Sequence, residues 1–531
     1  MSGCLPWWKS GIVYEVYPRS FMDSDGDGNG DLAGIRDRLD YLAWLGVDSL
    51  WICPFYPSPM EDGGYDIADY RAVDERFGTL ADFDRLIESA HRRGLRVILD
   101  LVPNHTSHLH PWFRESRASR SSGRRDWYLW RDPGPGGGPP NNWLSEFGGS
   151  AWEFDEATGQ YYYHAFLKEQ PDLNWRNPEV RRAFFDVMRF WLDRGADGFR
   201  VDVMWHLIKD ARFRDNPPNP RYRPDDPPNR VLVPAFSANQ PEVHEVVREM
   251  REVVDEYRER VLLGEIYLPI HELVTYYGHH GSGANLPYNF QLIVRPWKAE
   301  EIFRSISVYE GSLPEGAWPD WVLGNHDKPR VASRLGPAQA RVAAALLLTL
   351  RGTPTLYYGD EIGMEDVLVP PDRVRDGREK NVPGRGLGRD PARTPMQWSG
   401  GRGAGFTSGE PWLPVPGSAE ERNVERERAD PRSLLLFYRD LIALRRSEEA
   451  LTVGDYDPIG VAGSALAYLR SAGDSRLLVA ANLSHEPCRL APARRDLRGT
   501  VVFGTHSRRV GSTVARAIEL DPDEAFVARL G

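Results

Sequence analysis

The stretch "DGFRVDVMWH" (residues 197–206) decides how the chain folds. It places Arg200 and Asp202 in a run of residues typical of β-strands, just after a helical pattern that ends at Gly195. Side chains two residues apart in a strand share a face, so Arg200 and Asp202 are predicted to point the same way. A buried strand that ends in a charged pair indicates a functional site at its carboxyl end.

The same alternation of short apolar runs and amphipathic helical patterns recurs along the chain. Several runs are almost continuously hydrophobic, as expected of parallel strands buried on both faces. In "NPEVRRAFFDVMRFWLDRG", Asn177 can cap a helix and Pro178 takes its first position. Eight strands with helices between them predict a (β/α)8 barrel, with a doubly wound open sheet as the alternative. The predicted strands are residues 12–17, 47–53, 96–102, 197–203, 260–266, 286–292, 320–323 and 355–358.

Two segments break this rhythm and predict additional domains. Residues 106–174 are rich in Gly, Pro, Trp and Tyr and are interpreted as a subdomain inserted after the third strand. The barrel would then comprise residues 1–105 and 175–453, with a long loop excursion at about 367–425. From residue 454 to 531 the chain changes to short alternating runs, which predict a C-terminal antiparallel β-sandwich.

Composition excludes several classes of protein. The 531 residues carry a net charge of −11 without a basic block, so we expect no nucleic-acid partner. Three cysteines (Cys4, Cys53 and Cys488) have no metal-like spacing and predict no disulfide framework. We expect no membrane association and a cytoplasmic location, because neither a leader nor an apolar stretch of ~20 residues is visible. The sequence leaves open whether the chain is a monomer or a homo-oligomer.

Polar residues end four of the predicted strands, in "DLVPNH", "GFRVD", "GEIY" and "GNHD". Carboxyl ends of barrel strands meet at one mouth, and such a cluster suits glycoside hydrolysis by one ionised and one protonated carboxyl group. Arg200 is predicted to keep Asp202 ionised, and Glu265, in more apolar sequence surroundings, is the better acid. Asp327 would stabilise an oxocarbenium-like transition state or bind sugar hydroxyls.

These four segments resemble, in order, the signature regions of the α-amylase family of glycoside hydrolases (family 13). The resemblance implies that Asp202 is the nucleophile, Glu265 the general acid/base and Asp327 the transition-state stabiliser. It also implies a set of side chains around the sugar at the cleavage point, namely Tyr65, Asp66, His105, Arg200 and His326.

Two further segments, "QPDLN" (residues 170–174) and "RTPMQW" (residues 393–398), resemble the branch of oligo-1,6-glucosidases and α-glucosidases. The branch implies a retaining, exo-acting enzyme that removes terminal non-reducing α-linked glucose from short oligosaccharides or disaccharides, with Arg393 at the same sugar. For retention the two reacting carboxyl groups should lie about 5–5.5 Å apart. Phe147 and Phe166 of the insert are candidate sugar-stacking rings, with ordinary core packing as the alternative.

The segment "DSDGDGNGD" (residues 23–31) presents acidic side chains between glycines. The pattern alone fits a metal loop or an acidic capping turn equally well, since the Glu that ends a calcium loop is missing. The family resemblance implies a structural calcium or magnesium ion and no organic cofactor. Its ligands would be Asp23, Asp25, Asp27, Asp31 and the backbone carbonyl of Asn29.

Linkage preference remains open. In the resembled branch, valine at the position of Val203 accompanies action on α-1,6 bonds, although a β-branched residue also packs well in a strand. We expect a broad range over α-1,4, α-1,6 and α,α-1,1 linkages. The alternatives are an oligo-1,6-glucosidase, a transglycosylase or sugar isomerase of the sucrose isomerase or trehalose synthase type, a non-catalytic transporter subunit, and a calcium-binding scaffold.

Overall fold

Eight parallel strands close into a barrel in which neighbours in space follow the order of the chain. The computed structural model describes residues 5–491, 497–515 and 517–531, so Cys4 lies outside the described residues. The closed sheet confirms the predicted (β/α)8 fold and excludes the open-sheet alternative. The barrel strands, first to eighth, are Val13–Val16, Ser49–Ile52, Arg96–Leu101, Gly198–Val201, Val261–Ile266, Leu286–Asn289, Asp320–Val322 and Thr353–Tyr357.

Two predicted strands were too long at their carboxyl ends by two residues or more. The sixth strand ends at Asn289, whose side-chain oxygen accepts from the Gln291 amide at 3.0 Å, and a short helix follows. The fourth strand ends at Val201, and Val203 adopts a left-handed conformation with φ 36°. Asp202 and Val203 therefore belong to the turn that leaves the barrel.

Glycine at position 198 lets the fourth and fifth strands approach each other. A Cβ atom built on Gly198 would lie 2.1 Å from the carbonyl oxygen of Val261 on the fifth strand. Only a residue without a side chain fits between these backbones. The glycine thus fixes the spacing of the two strands that carry Asp202 and Glu265.

The helices around the barrel begin at caps that the sequence provides. The side chain of Asn177 accepts from the Glu179 amide, and Thr79 forms a capping box with Asp82. The α-helices are Trp7–Ser10, Pro18–Phe21, Leu32–Asp37, Leu39–Leu45, Leu80–Arg92, Pro111–Ala118, Pro178–Asp193, Val243–Asp255, Ile270–Leu273, Gln291–Val294, Ala299–Ser312, Val331–Leu335, Pro337–Thr349, Gly377–Asn381, Val424–Ala429, Leu434–Ser447 and Glu449–Thr452.

The segment inserted after the third strand contains a three-stranded antiparallel sheet, Trp130–Arg131, Gln160–Tyr163 and Trp152–Asp155. Trp143, Trp152 and Tyr163 form its own small core. A bridge between His105 and Asp172 ties the end of this segment to the end of the third barrel strand. The insert is thereby held over the mouth of the barrel.

The C-terminal part forms a six-stranded antiparallel sheet, and a two-stranded sheet packs against it. One face of the large sheet packs on the barrel, where Tyr468 and Thr349 share a hydrogen bond of 2.6 Å between their hydroxyls. The other face packs with Leu490 and Ile518 of the small sheet. The strands are Asp455–Ala462, Ala465–Ala472, Ser475–Asn482, Ala525–Leu530, Gly499–Gly504 and Thr513–Val514 in the large sheet, with Cys488–Leu490 and Ile518–Leu520 in the small one.

Within the described residues, none of the helices has both the length and the apolar character needed to span a bilayer.

Candidate active site

A pocket of about 150 Å³ lies at the carboxyl ends of the barrel strands, beneath the insert. The three predicted catalytic carboxylates, Asp202, Glu265 and Asp327, all line it. Five of the predicted sugar-contacting residues join them: Tyr65, His105, Phe147, Phe166 and His326. Val203, which the sequence analysis connects with linkage preference, also lines the pocket. Sequence reasoning missed a further group of lining residues, which are Asp62, Glu146, Trp205, His206, Arg230, Tyr267, Lys328, Arg378 and Arg389.

Arg200 lies under the pocket and holds both reacting carboxylates. Its Nη1 atom is 2.9 Å from Asp202 Oδ1, and its Nη2 atom is 2.8 Å from Glu265 Oε2. The same Nη1 donates to Asp100 Oδ1 at 2.9 Å. Arg200 is fully buried and is not among the residues that line the pocket, and its contact with the sugar stays a prediction. It positions the carboxylates from below.

Glu265 is more polar in its surroundings than its sequence neighbours indicated. Besides the ion pair with Arg200, its Oε2 atom accepts from the backbone N–H of Val203 at 2.9 Å. The left-handed conformation of Val203 aims that N–H at Glu265, which a continuing strand would not do. With Oε2 held in this way, Oε1 is the oxygen left to act toward the pocket.

The charge on Asp202 depends on its neighbours. Burial and the charge of Glu265 raise the pKa of Asp202 well above its usual range, while Arg200 lowers it. The guanidinium that is predicted to keep Asp202 ionised also pairs with Asp100 and Glu265, so its effect is shared among three carboxyl groups. Two adjacent carboxyl groups in this position favour a state in which one of them keeps a proton.

Asp327 is in the opposite situation. Burial acts to raise its pKa, but His326, Arg389 and Arg393 together lower it well below its usual range. Arg393 Nη2 lies 2.8 Å from Asp327 Oδ1, and Arg389 Nη1 lies 3.4 Å from it. Asp327 is therefore an anion fixed at the pocket wall.

Arg393 supports this wall. It is 2% exposed, is absent from the pocket lining, and donates from Nε to the carbonyl oxygen of His326 at 2.9 Å. The structure places it against Asp327, and its contact with the sugar stays a prediction. Arg389, which lines the pocket, pairs with Asp62 and Asp376 in addition to Asp327.

Asp66 lies behind the pocket wall, and its contact with the sugar stays a prediction. Asp66 is fully buried outside the pocket lining, and its carboxylate accepts from Ser58 Oγ at 2.7 Å and from the Glu61 amide at 2.9 Å. Burial raises the pKa of Asp66 to about 7. Asp62, four residues earlier, lines the pocket in its place and accepts from Gln170 Nε2 at 2.9 Å. In the sequence, the acidic residues on either side of "GG" indicate a site, but the sequence does not show which of them faces the pocket.

Two histidines frame the sugar position. Burial lowers the pKa of His105 to about 4, so this ring is neutral at pH 7, with Nε2 3.1 Å from the carbonyl oxygen of Tyr65. The ring of His326 stacks on Tyr65 at 5.2 Å and contacts Glu15 through Nδ1. The Tyr65 hydroxyl donates to Asp100 at 2.9 Å. Neutral rings with fixed partners suit the recognition of neutral hydroxyl groups.

The "QPDLN" segment links the insert to the barrel through a buried ion pair. Asp172 pairs with Lys209, and both side chains are buried. Asn104 donates to Asp172 Oδ2 at 2.8 Å and accepts from Lys209 Nζ at 2.7 Å. Asp172 also accepts from the Ala165 amide at 2.7 Å, next to Phe166. This network sets the position of the pocket's aromatic wall.

That wall consists of Phe147 and Phe166, whose ring centroids are 5.4 Å apart. Phe166 also contacts the His105 ring at 5.3 Å, and the Arg389 guanidinium lies 4.8 Å from the Phe147 ring. Both rings line the pocket, so they are placed where a sugar face would pack.

The acidic loop near the start lies apart from this pocket. Carboxylate oxygens of Asp23, Asp25 and Asp27 come within 4.8 Å of one another, which fits an oxygen-seeking cation. Although the Asp27 amide lowers the pKa of Asp25, burial and the neighbouring carboxylates raise it overall.

Two other predicted ligands are otherwise engaged. Asp31 caps the helix Leu32–Asp37 through the Gly34 amide at 2.7 Å and accepts from the Ser24 amide at 2.8 Å. It caps this helix and lies outside the group of three, and its role as a metal ligand stays a prediction. The Asn29 side chain accepts from Arg19 Nε at 2.8 Å. This contact does not involve the backbone carbonyl of Asn29, which is the atom predicted as a ligand.

Comparison with known proteins gives consistent relatives. A family model described as "Alpha amylase, catalytic domain" matches residues 15–454. The oligo-1,6-glucosidase of Heyndrickxia coagulans is 42% identical over 521 residues, covering 90% of this chain and 92% of that protein. The probable alpha-glucosidase of Rhizobium meliloti (strain 1021) is 41% identical over 498 residues, covering 90% of each. The solved alpha-glucosyl transfer enzyme XgtA has a TM-score of 0.94 at 41% identity, covering 99% of this chain and 100% of that one.

Proposed function

The chain belongs to the α-amylase family of glycoside hydrolases, and on this premise we propose that it is a retaining, exo-acting α-glucosidase. It removes terminal non-reducing α-linked glucose from short oligosaccharides or disaccharides. The observation that carries the proposal is the pair Asp202 and Glu265 on adjacent nitrogens of one buried guanidinium, opposite the anionic Asp327.

The reaction proceeds by double displacement. The Asp202 carboxylate attacks the anomeric carbon while Glu265 gives a proton to the departing glycosidic oxygen, and a covalent glucosyl-enzyme forms. Glu265 then removes a proton from water, which attacks the anomeric carbon and releases Asp202. Asp327 stabilises the positive charge that develops on the ring in both steps. Retention requires the two carboxyl groups about 5–5.5 Å apart, and their shared contact with Arg200 supports such a spacing.

The pocket supports removal of one terminal unit rather than internal cleavage. Its volume of about 150 Å³ is small. The Phe147 and Phe166 rings and the Arg389–Asp62 ion pair all lie in the pocket wall, and we infer that they close the pocket against a longer chain. A single sugar ring is the unit that such a pocket holds.

The range of glycosidic linkages that the enzyme cleaves depends on the space next to the pocket. A second cavity of about 560 Å³ adjoins it and shares Glu146, Trp205, Arg230 and Tyr267 with it. This open space accommodates leaving groups of different shape, which supports action on α-1,6, α-1,4 and α,α-1,1 bonds. Because XgtA is an alpha-glucosyl transfer enzyme, transfer of glucose to a sugar acceptor in this cavity is the second candidate activity.

The test is a panel of maltose, isomaltose, trehalose, sucrose and starch with the wild type, Asp202→Ala and Glu265→Gln. We expect glucose release from the short substrates with retained α-configuration, and a loss of about 10²–10⁴-fold in Glu265→Gln. Asp202→Ala should be inactive until azide is added, when β-glucosyl azide forms. Rapid fall in the chain length of starch would contradict exo-action, and a β-configured first product of the wild type would contradict retention.

We also propose that the loop of residues 23–31 holds a structural calcium or magnesium ion through Asp23, Asp25 and Asp27. Bound there, the ion neutralises three neighbouring carboxylates and takes no part in the reaction. We expect Ca²⁺ or Mg²⁺ to raise the melting temperature of chelator-treated wild type, and not that of Asp25→Asn/Asp27→Asn. An equal response of both proteins would refute the site.

The remaining parts of the proposal concern setting and partners. The substrate is a small neutral glucoside, with no nucleic acid or membrane partner. A cytoplasmic location fits the free thiols of Cys53 and Cys488. Fractionation of the source cells would test it.

A further inference from the structure

Three cationic side chains stand at the outer side of the pocket, and we call them the cationic rim: Arg230, Lys328 and Arg378. Arg230 lines both the pocket and the outer cavity. Lys328 Nζ lies 5.1 Å from the ring of Tyr267, which also lines both spaces. The rim therefore borders the position of the leaving group, beyond the ring that is cleaved off.

The positive charge of the rim is not neutralised by the protein. Within the described parts of the chain, none of the three side chains forms an ion pair within 4.0 Å, and Arg378 Nε is buried without a hydrogen-bond partner. Arg389 beside them is different, because it pairs with Asp62, Asp327 and Asp376. The rim differs from the rest of the pocket in this respect.

One carboxylate faces the rim. Glu146 lines both spaces, and it accepts from Asn229 Nδ2 at 2.8 Å. Burial raises the pKa of Glu146, and the charges of Arg230, Arg378 and Lys328 act against that rise, so all three cations lie within electrostatic reach of this acid. The other carboxylates that attract Lys328 or Arg378 already form ion pairs with arginines outside the rim; they are Asp327, Glu265 and Asp376. Even with Glu146 ionised, the three rim cations outnumber the one carboxylate that has no ion pair elsewhere.

We propose that the rim binds an anionic group on the leaving-group side, so that the preferred substrates are α-glucosides whose aglycone carries a carboxylate or a phosphate. This inference rests on the proposed glucosidase activity and adds the chemical class of the aglycone. Cations held apart by the fold, with unused N–H donors facing a cleft, are the usual means of recognising such groups. A neutral sugar would leave the same charges unpaired.

The test compares matched anionic and neutral substrates: glucosylglycerate with glucosylglycerol, and trehalose 6-phosphate with trehalose. The measured quantity is the ratio of kcat/KM within each pair. We expect the wild type to favour the anionic member by about tenfold or more, since charge-assisted hydrogen bonds are worth ~1.5–3 kcal/mol. The preference should shrink as salt is raised, because the rim is open to solvent.

Charge removal identifies the rim as the cause. Arg230→Gln, Lys328→Gln and Arg378→Gln should each lower the ratio several-fold, whatever they do to the neutral reaction. The matched control is Arg212→Gln, an exposed arginine on the same connection as Arg230 that does not line the pocket. The ratio of this control should equal that of the wild type.

The outcomes separate the two proposals. If neutral glucosides are cleaved but neither anionic substrate is preferred, the rim inference fails and the glucosidase assignment stands. Preference for only the carboxylate or only the phosphate substrate supports the inference and identifies the source of the anion. If no glucoside is cleaved, the glucosidase assignment fails. In that case, calorimetry of the anionic and neutral substrates with Glu265→Gln tests the rim inference separately. Equal affinities for the two members of a pair would overturn this inference.

Discussion

The buried ion pair between Asp172 and Lys209 allows a sharp test of how the insert is joined to the barrel. Asp172→Asn keeps the shape of the side chain and removes its charge, so the Lys209 ammonium loses its counterion and keeps only neutral acceptors such as Asn104 Oδ1. Breaking a buried pair from one side costs about 3–5 kcal/mol. With an unfolding entropy of about 2.1 cal/mol/K per residue, 531 residues give ~1.1 kcal/mol/K, so the melting temperature should fall by roughly 3–5 °C.

The effect should depend on pH in a defined direction. Burial lowers the pKa of Lys209, and Asp172 opposes that decrease. Without Asp172 the folded-state pKa of Lys209 falls further below its unfolded value of about 10.4. The unfolded variant then binds more protons than the folded one, so its stability rises with pH. The difference between variant and wild type should therefore become smaller from pH 6 to pH 9.

The assay is thermal unfolding of the wild type, Asp172→Asn, Lys209→Met and the double variant. The double variant should lose less than the sum of the single ones, because it leaves no unpaired buried charge. The exposed pair Arg251–Asp255, removed by Asp255→Asn, is the control and should change little. Additive losses, or a loss in Asp172→Asn that does not change with pH, would refute the reasoning.

Three further outcomes are expected. Asp62→Asn should lower kcat/KM on every glucoside by about 10–100-fold while the protein stays folded, because a charge-assisted contact in the pocket is lost. Near-wild-type kcat/KM values would show that Asp62 has only a structural role. Gly198→Ala should not accumulate as folded protein, since its Cβ would overlap the Val261 carbonyl. The control Gly94→Ala, whose Cβ would have nothing within 4 Å, should fold and lose about 1–2 kcal/mol of unfolding free energy, measured by thermal unfolding. Arg393→Gln should raise the pKa of Asp327, so its activity should fall more steeply toward acid pH than that of Arg393→Lys, which keeps the cation; parallel pH profiles would contradict this.

The barrel was predictable because its strands are buried on both faces. That burial requires nearly unbroken runs of apolar residues, and helices with recognisable caps separate them. Errors arose at the carboxyl ends, where the chain leaves the sheet. The sequence after Asn289 continues to be apolar although the backbone turns into a helix, and Val203 retains a strand-forming side chain in a left-handed conformation. Apolar character alone does not distinguish these conformations.

Within the site, the residues on strand ends were found, whereas of the loop residues in the pocket only a few, such as Tyr65, Phe147 and Phe166, were predicted. Asp202, Glu265 and Asp327 follow directly from strands, so topology brings them together. Arg389 lies in a Gly-, Pro- and Arg-rich segment without periodicity, and nothing local distinguishes it from its neighbours. Asp62 and Asp66 are four residues apart in one loop, and only the three-dimensional path of that loop decides which of them faces the pocket.

The origin of Arg389 has a consequence for how such enzymes diverge. Arg378, Arg389 and Arg393 all come from one long connection after the eighth strand, while Asp62 and Asp327, two of the acids they face, come from other loops. Exchanges at the pocket-facing residues of this connection can therefore alter which aglycone is accepted while the barrel strands stay the same. Trimming the connection would remove the counter-charges of Asp62 and Asp327 together with buried contacts to the barrel, such as that of Trp398 with the Phe21 carbonyl.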